Sequence, residues 1–276
     1  MNGGGSMEKR NKEKRKAILL LAAAGMILYS LYQLYDTFMP YVSGDHQYSE
    51  LQELARESQQ DTKEQNEESW QQAQEQESAS DKRKGNTRKK VNFGPLQEMN
   101  SDIVAWITFE EPSEIDYPVV QGKDNQEYLT RTFEADGHKY GTIFMDVDNS
   151  SDFSDPNTFI YGHHMANGSM FAGLLDYLDE AYYKAHPYFT IYTVDDRTLT
   201  YQVCSVEITA EGTLSYQWIY DTEESWEEYR AYIMNNASYQ TGVTLQADSK
   251  LVSLSTCLNT TSNQRVLLHG VLTEEA

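Results

Sequence analysis

Leu251-Val252-Ser253-Leu254-Ser255-Thr256-Cys257 is the stretch that decides how this chain reads, with Arg265-Val266-Leu267-Leu268 beginning eight residues after its cysteine. Apolar residues lead into the thiol and follow the guanidinium. The pattern is two β-strands joined by a polar loop, with Cys257 ending one and Arg265 starting the next. A thiol is a useful nucleophile only where a neighbouring base or cation favours its thiolate. The chain supplies a histidine in a similar setting. In Asn157-Thr158-Phe159-Ile160-Tyr161-Gly162-His163, a short strand ends at a glycine that lets the chain turn directly before the imidazole.

Working outward, the region from Phe93 reads as short strands separated by turn residues. The strands are expected over Val104–Phe109, Tyr117–Gln121, Gly141–Met145, Thr158–Tyr161, Tyr188–Val194, Leu199–Ile208, Lys250–Cys257 and Arg265–Leu272. Asp195-Asp196-Arg197 reads as a hairpin turn. Two helices interrupt the series. Ser169–Leu178 places Met170, Leu174, Leu175 and Leu178 on one face, and Ser225–Asn236 opens on a capping box of Ser225 with Glu228. Eight strands with a few helices fit a closed barrel, which leaves no exposed edge.

The N-terminal third is different. Lys9, Arg10, Lys12, Lys14, Arg15 and Lys16 precede an apolar run, Ala17 to Tyr35, that just reaches the ~20 residues needed to cross a bilayer. Tyr29, Tyr32 and Tyr35 fall at its far end, where aromatic side chains favour the interface. Excess Lys and Arg keep a flank cytoplasmic, so the C-terminal bulk is expected outside. A cleaved signal peptide is the competing reading, but its small-residue stretch Ala22-Ala23-Ala24 lies inside the apolar run rather than after it. Residues 36–92 read as a solvated spacer, dominated from about Asp45 to Asn92 by Gln, Glu, Ser, Lys and Arg, with a short helix over Ser49–Arg56 carrying Leu51 and Leu54 on one side. The organisation is therefore a basic tail (1–16), a membrane anchor (17–35), a polar spacer (36–92) and a folded domain (93–276).

Residues 1–44 carry a net charge of +3, so the total of −21 leaves −24 on residues 45–276. Such a surface repels nucleic-acid phosphates and excludes that class of partner. The two cysteines, Cys204 and Cys257, raise the question of a disulfide in an extracytoplasmic protein. Cys204 sits in an alternating strand pattern as a small buried hydrophobe, and a bridge would consume the candidate nucleophile. Two free thiols are expected. No Cys/His/Asp spacing suggests a metal, and no cofactor is implied. His164 follows His163 directly and on an extended chain points to the opposite face. His269, on the last strand, reads as a packed or surface residue.

The Leu251–Cys257 stretch, Tyr161-Gly162-His163 and Arg265 together resemble the sortases, cysteine transpeptidases of Gram-positive cell surfaces. Asn100-Ser101-Asp102-Ile103-Val104-Ala105-Trp106-Ile107, Ile115-Asp116-Tyr117-Pro118-Val119-Val120-Gln121 and Gly141-Thr142-Ile143-Phe144-Met145-Asp146 resemble class B in particular. The resemblance covers roughly Phe93 to Leu272. Ser253 stands where the family usually has threonine, and keeps the hydroxyl. The resemblance implies a mostly β fold, the eight-stranded sortase barrel with peripheral helices. It implies Cys257 as nucleophile, His163 as general acid/base and Arg265 as stabiliser of the oxyanion or substrate backbone. Tyr161, Ser255, Thr256 and Asn259 are expected to line the groove. The function implied is cleavage of a C-terminal sorting motif of the Asn-Pro-x-Thr type on secreted proteins. Their new carboxyl ends would then be joined to an amine of peptidoglycan or its lipid-linked precursor. A pilin-polymerising enzyme with a protein lysine as acceptor, or a non-catalytic surface protein that binds peptide or wall polymer, are the alternatives.

The chemistry sets a demand on the site. With ordinary pKa values, about 3% of cysteine is thiolate and about a quarter of histidine is imidazolium at pH 7. Titrating independently, the doubly charged pair would be under about 1% of the enzyme.

Overall fold

A computed structural model of the chain describes residues 4–56, 91–134, 137–259 and 263–276. It divides into two units, residues 1–44 and residues 45–276.

In the first unit the chain is helical throughout its described part. Helix α1 runs Gly4–Arg56, and its most apolar 18-residue window has a mean hydropathy of 1.9, enough by length and composition to cross a membrane. Ile18, Leu21, Leu28 and Tyr32 on it are all more than half exposed.

The second unit begins with the last turns of α1, residues 45–56. The expectation of a solvated spacer from residue 36 does not describe these turns. Tyr48, Leu51 and Ala55 are buried there, and the Tyr48 hydroxyl donates to the carbonyl of Gly141 at 2.5 Å. Tyr48 also stands edge-on to Tyr117, with ring centroids 5.4 Å apart. Leu51 is buried and Leu54 half-buried, Glu53 faces solvent, and Gln52 Nε2 donates to the carbonyl of Asp116 at 2.9 Å. The rest of the expected spacer, 57–90, lies outside the described residues.

All eight expected strands form. They are β1 (Ile103–Phe109), β2 (Asp116–Val120), β3 (Ile143–Met145), β4 (Asn157–Tyr161), β5 (Tyr188–Thr193), β6 (Thr198–Ala210), β7 (Leu251–Cys257) and β8 (Gln264–Glu275). They close into one barrel in the order β1-β2-β3-β4-β7-β8-β6-β5. The pairs β2–β3 and β4–β7 are parallel, and the remainder are antiparallel. Closure leaves no edge free to recruit another chain. A stack of Phe109, Phe189 and Tyr201, with successive centroids 4.9 and 5.3 Å apart, fills one flank.

Helix α2 (Phe93–Met99) leads into β1, and α3 (Glu180–Ala185) precedes β5. Where a helix was expected over Ser169–Leu178, a 3-10 helix covers Ala172–Leu178 instead. Helix α4 (Glu223–Asn235) starts two residues earlier than its sequence suggested, because Thr222 is the cap: its hydroxyl accepts from Ser225 N, and Ser225 Oγ accepts from Thr222 N. Trp226, Tyr229 and Ile233 of α4 pack on Cys204, Leu251 and Val271. Burying each of these large side chains is worth about 1.5–3 kcal/mol. That packing seats α4 on the outer side of the two strands that carry the chemistry.

Candidate active site

Strand alternation decides which side chains share a face. On β7, Ser253, Ser255 and Cys257 point one way. Their partners on β8 are His269, Leu267 and Arg265, so Cys257 and Arg265 face each other across the last rung. From the other side β4 runs parallel to β7 and places Tyr161 opposite Ser255, with His163 two residues on. The thiol, the imidazole and the guanidinium thus come to one end of the barrel from strands that are neighbours in space and distant in sequence.

These residues line a groove of about 560 Å³, with Asn125, Gln126, Leu129, Phe144, Tyr161, Gly162, Glu211, Tyr216, Ser255 and Thr256. Cys257 is partly exposed and is a free thiol, as is the buried Cys204. Burial pushes the Cys204 thiol up to about 12, and its Sγ donates to the carbonyl of His269 at 3.2 Å. Cys204 is an inert core residue.

His163 Nε2 lies 2.6 Å from the backbone carbonyl of Leu129. A carbonyl only accepts, so Nε2 carries the hydrogen and Nδ1 is the nitrogen free to take and give a proton. No third, orienting carboxylate was identifiable in the sequence, and this main-chain oxygen occupies that role. Two glycines make the arrangement fit. A Cβ on Gly162 would lie 2.7 Å from the ring of Phe171, and one on Gly141 would lie 2.5 Å from Tyr128 O and 3.1 Å from His163 Cδ2. Gly141 also has φ +56°, a conformation that glycine adopts without cost.

His163 lines the groove and His164 does not. His164 pairs by a β-bridge with Met170, and its Nδ1 donates to the carbonyl of Cys257 at 3.1 Å. It pins the backbone of Cys257.

Arg265 pairs with Glu211, on the turn after β6, and retains further guanidinium donors for a substrate. Ser255 and Thr256 are both anchored: Tyr216 OH and Ser255 Oγ are 2.8 Å apart, and Thr256 Oγ1 donates to Gly162 O at 2.8 Å. The Tyr161 hydroxyl donates to Asp146 at 2.7 Å. Burial, with the adjacent carboxylate, pushes that phenol well above its ordinary value, so it stays protonated. Asn259 is exposed and does not line the groove, because the chain leaves the sheet after Cys257. Tyr216, Glu211, Asn125 and Leu129 were missed by sequence reasoning. They reach the groove from connections whose path no local pattern encodes.

Beneath the groove, the same face carries a buried polar array. Ser253 Oγ donates to Asn157 Oδ1 at 2.8 Å and therefore accepts from His269 Nδ1, also 2.8 Å away. Asn157 in turn donates to Tyr229 OH at 2.9 Å. His269 is fully buried, so of its two expected settings the packed one holds. The hydroxyl at position 253 is used structurally.

A closed eight-stranded barrel carrying a cysteine, a histidine and an arginine at one end is an architecture of the sortase kind. The sortase-domain family model matches residues 111–273, and the chain belongs to that family. Its relatives are of class B. It is 36% identical over 166 residues to sortase B of Listeria monocytogenes, covering 59% of this chain and 65% of that protein. To sortase B of Staphylococcus aureus it is 31% identical over 167 residues, covering 60% of this chain and 67% of the other. The crystal structure of sortase B from Bacillus anthracis in complex with AAEK1 superposes with a TM-score of 0.68 at 27% identity, over 86% of this chain and 99% of that one. The chain thus spans about two thirds of the length of the curated relatives it matches.

Proposed function

We propose that this chain is a membrane-anchored cysteine transpeptidase that cuts a C-terminal sorting motif of the Asn-Pro-x-Thr type on secreted proteins and joins them to a cell-wall amine. The convergence of Cys257, His163 and Arg265 on one groove carries this reading. Cys257 Sγ, as thiolate, attacks the scissile carbonyl, and Arg265 with backbone N–H groups near Cys257 stabilises the oxyanion. The tetrahedral intermediate collapses with loss of the amine, which takes a proton from His163 Nδ1, and a thioester to Cys257 remains. The incoming amine attacks that thioester and gives its proton to Nδ1, and the thiolate departs as the new amide forms. The apolar segment of α1 anchors the enzyme with its basic N-terminal flank in the cytoplasm, so that the barrel meets its substrates outside.

Intact-mass measurement of the full-length chain in detergent micelles, mixed with a panel of such peptides with and without added amine, tests the proposal. An acyl adduct on Cys257 that the amine converts to an amide product, and that Cys257→Ala does not form, is the expected result. A peptide that remains intact while Cys257 is free and alkylatable overturns the substrate assignment.

A further inference from the structure

Asp146 follows β3 directly and is only 5% exposed. Among the described residues no lysine or arginine pairs with it, so this buried charge is compensated by hydrogen bonds alone. Its Oδ2 accepts from Tyr161 OH at 2.7 Å and from Asn125 Nδ2 at 3.0 Å, and its Oδ1 accepts from Asp148 N at 3.0 Å. Asn125 is held at its other end as well, since Val147 N donates to Asn125 Oδ1 at 2.9 Å.

The two side chains that meet on Oδ2 belong to the two segments that hold His163. Tyr161 lies two residues before it. Asn125 lies four residues before Leu129, whose carbonyl accepts from His163 Nε2. An amide has one acceptor oxygen and cannot serve three donors, whereas a carboxylate has about four lone-pair sites. An apolar side chain there would leave buried donors unpaired.

We propose that Asp146 is a positioning residue of the active site: through Tyr161 and Asn125 it ties together the two segments that fix His163 and the groove wall beside it. It touches neither substrate nor the reacting atoms. The inference rests on the transpeptidase reading for its kinetic consequence, but the geometry it asserts is independent of any substrate.

The test uses full-length wild type, Asp146→Asn, Tyr161→Phe and the double variant in detergent micelles. Three quantities are read: the pH profile of Cys257 alkylation by iodoacetamide, kcat and KM for the active peptide, and Tm. Asp146→Asn is expected to displace the alkylation profile and to lower kcat/KM about tenfold, mostly in kcat. The double variant is expected to lose little more than Asp146→Asn alone, because Tyr161 acts through the same oxygen. A lowered Tm with wild-type kcat and an unchanged alkylation profile overturns the proposal, as do fully multiplicative losses in the double variant. Should Asp146→Asn fail to fold, Asn125→Ala and Tyr161→Phe must each displace the alkylation profile, and profiles identical to wild type overturn it. Wild type that turns over no peptide overturns the transpeptidase reading, while the alkylation profiles still decide the role of Asp146.

Discussion

Cys257 and Arg265 are register partners at the last rung of the β7–β8 ladder, so the backbone hydrogen bonds that make the barrel also set the distance between thiol and guanidinium. The eight-residue offset in sequence spans the six-residue connection 258–263 between the two strands, and the strand pairing makes Cys257 and Arg265 neighbours. A one-residue slip in the register of this pair would put Cys257 and Arg265 on opposite faces.

Arg265 is expected to act through its planar fork of donors, and charge alone should not replace it. Arg265→Lys should lower kcat/KM by roughly ten- to a hundredfold, and Arg265→Ala by about 10²–10³. Glu211 is more than half exposed, and such pairs contribute little. Glu211→Gln should stay within a few-fold of wild type. Steady-state kinetics on the three variants tests the contrast, and a larger loss in Glu211→Gln than in Arg265→Lys would contradict it.

Gly162 is a steric requirement of the segment that carries His163. A methyl group there would meet the Phe171 ring, which is fully buried and whose backbone N–H donates to His163 O at 2.9 Å. Gly162→Ala should cost about 1–3 kcal/mol by overpacking and reduce turnover at the same time. Adding Phe171→Leu should recover part of both, measured by chemical denaturation and by rate.

The two thiols should separate cleanly. Native protein is expected to give one equivalent with a thiol reagent near neutral pH, at Cys257, and two after unfolding, because burial holds Cys204 protonated. Peptide mapping identifies the site. Cys204→Ala should keep catalytic activity, and a native protein with no titratable thiol would remove Cys257 as nucleophile.

Alkaline pH should unfold the barrel. Burial pushes Tyr117, Tyr128, Tyr140 and Tyr216 up to about 12, from an ordinary value near 10. Above pH 10 the folded state holds protons that the unfolded state releases, so stability falls as pH rises. The stability is fully present below about pH 10 and is lost progressively towards and beyond pH 12. Denaturation midpoints from pH 8 to 11.5 measure this. A flat profile across that range would show that these phenols ionise without unfolding the protein.

Much of this fold was legible because its signals are local. Period-two alternation and turn residues mark each strand of the barrel within a few residues of its ends, and the basic flank with its apolar run marks by composition alone a helix long and apolar enough to cross a membrane. The candidate residues Cys257, His163 and Arg265 were picked out through resemblance, and they line one groove. Spacing did not single them out, since nothing in the chain says that a thiol at 257 and an imidazole at 163 meet. Boundaries were less secure where a cap is ambiguous, as at Thr222, or where a polar stretch hides a few anchoring residues, as at Tyr48 and Leu51.

Sequence by itself determined the strands, the apolar helix and the kinds of residue available for chemistry, because these follow from periodicity and side-chain type over short windows. Tertiary structure alone decided who holds them. The Leu129 carbonyl selects the tautomer of His163, His164 pins the Cys257 backbone, and Asp146 gathers Tyr161 and Asn125. Each is a contact between segments far apart in sequence, made by backbone or by a common side chain whose partner is chosen only when the barrel closes.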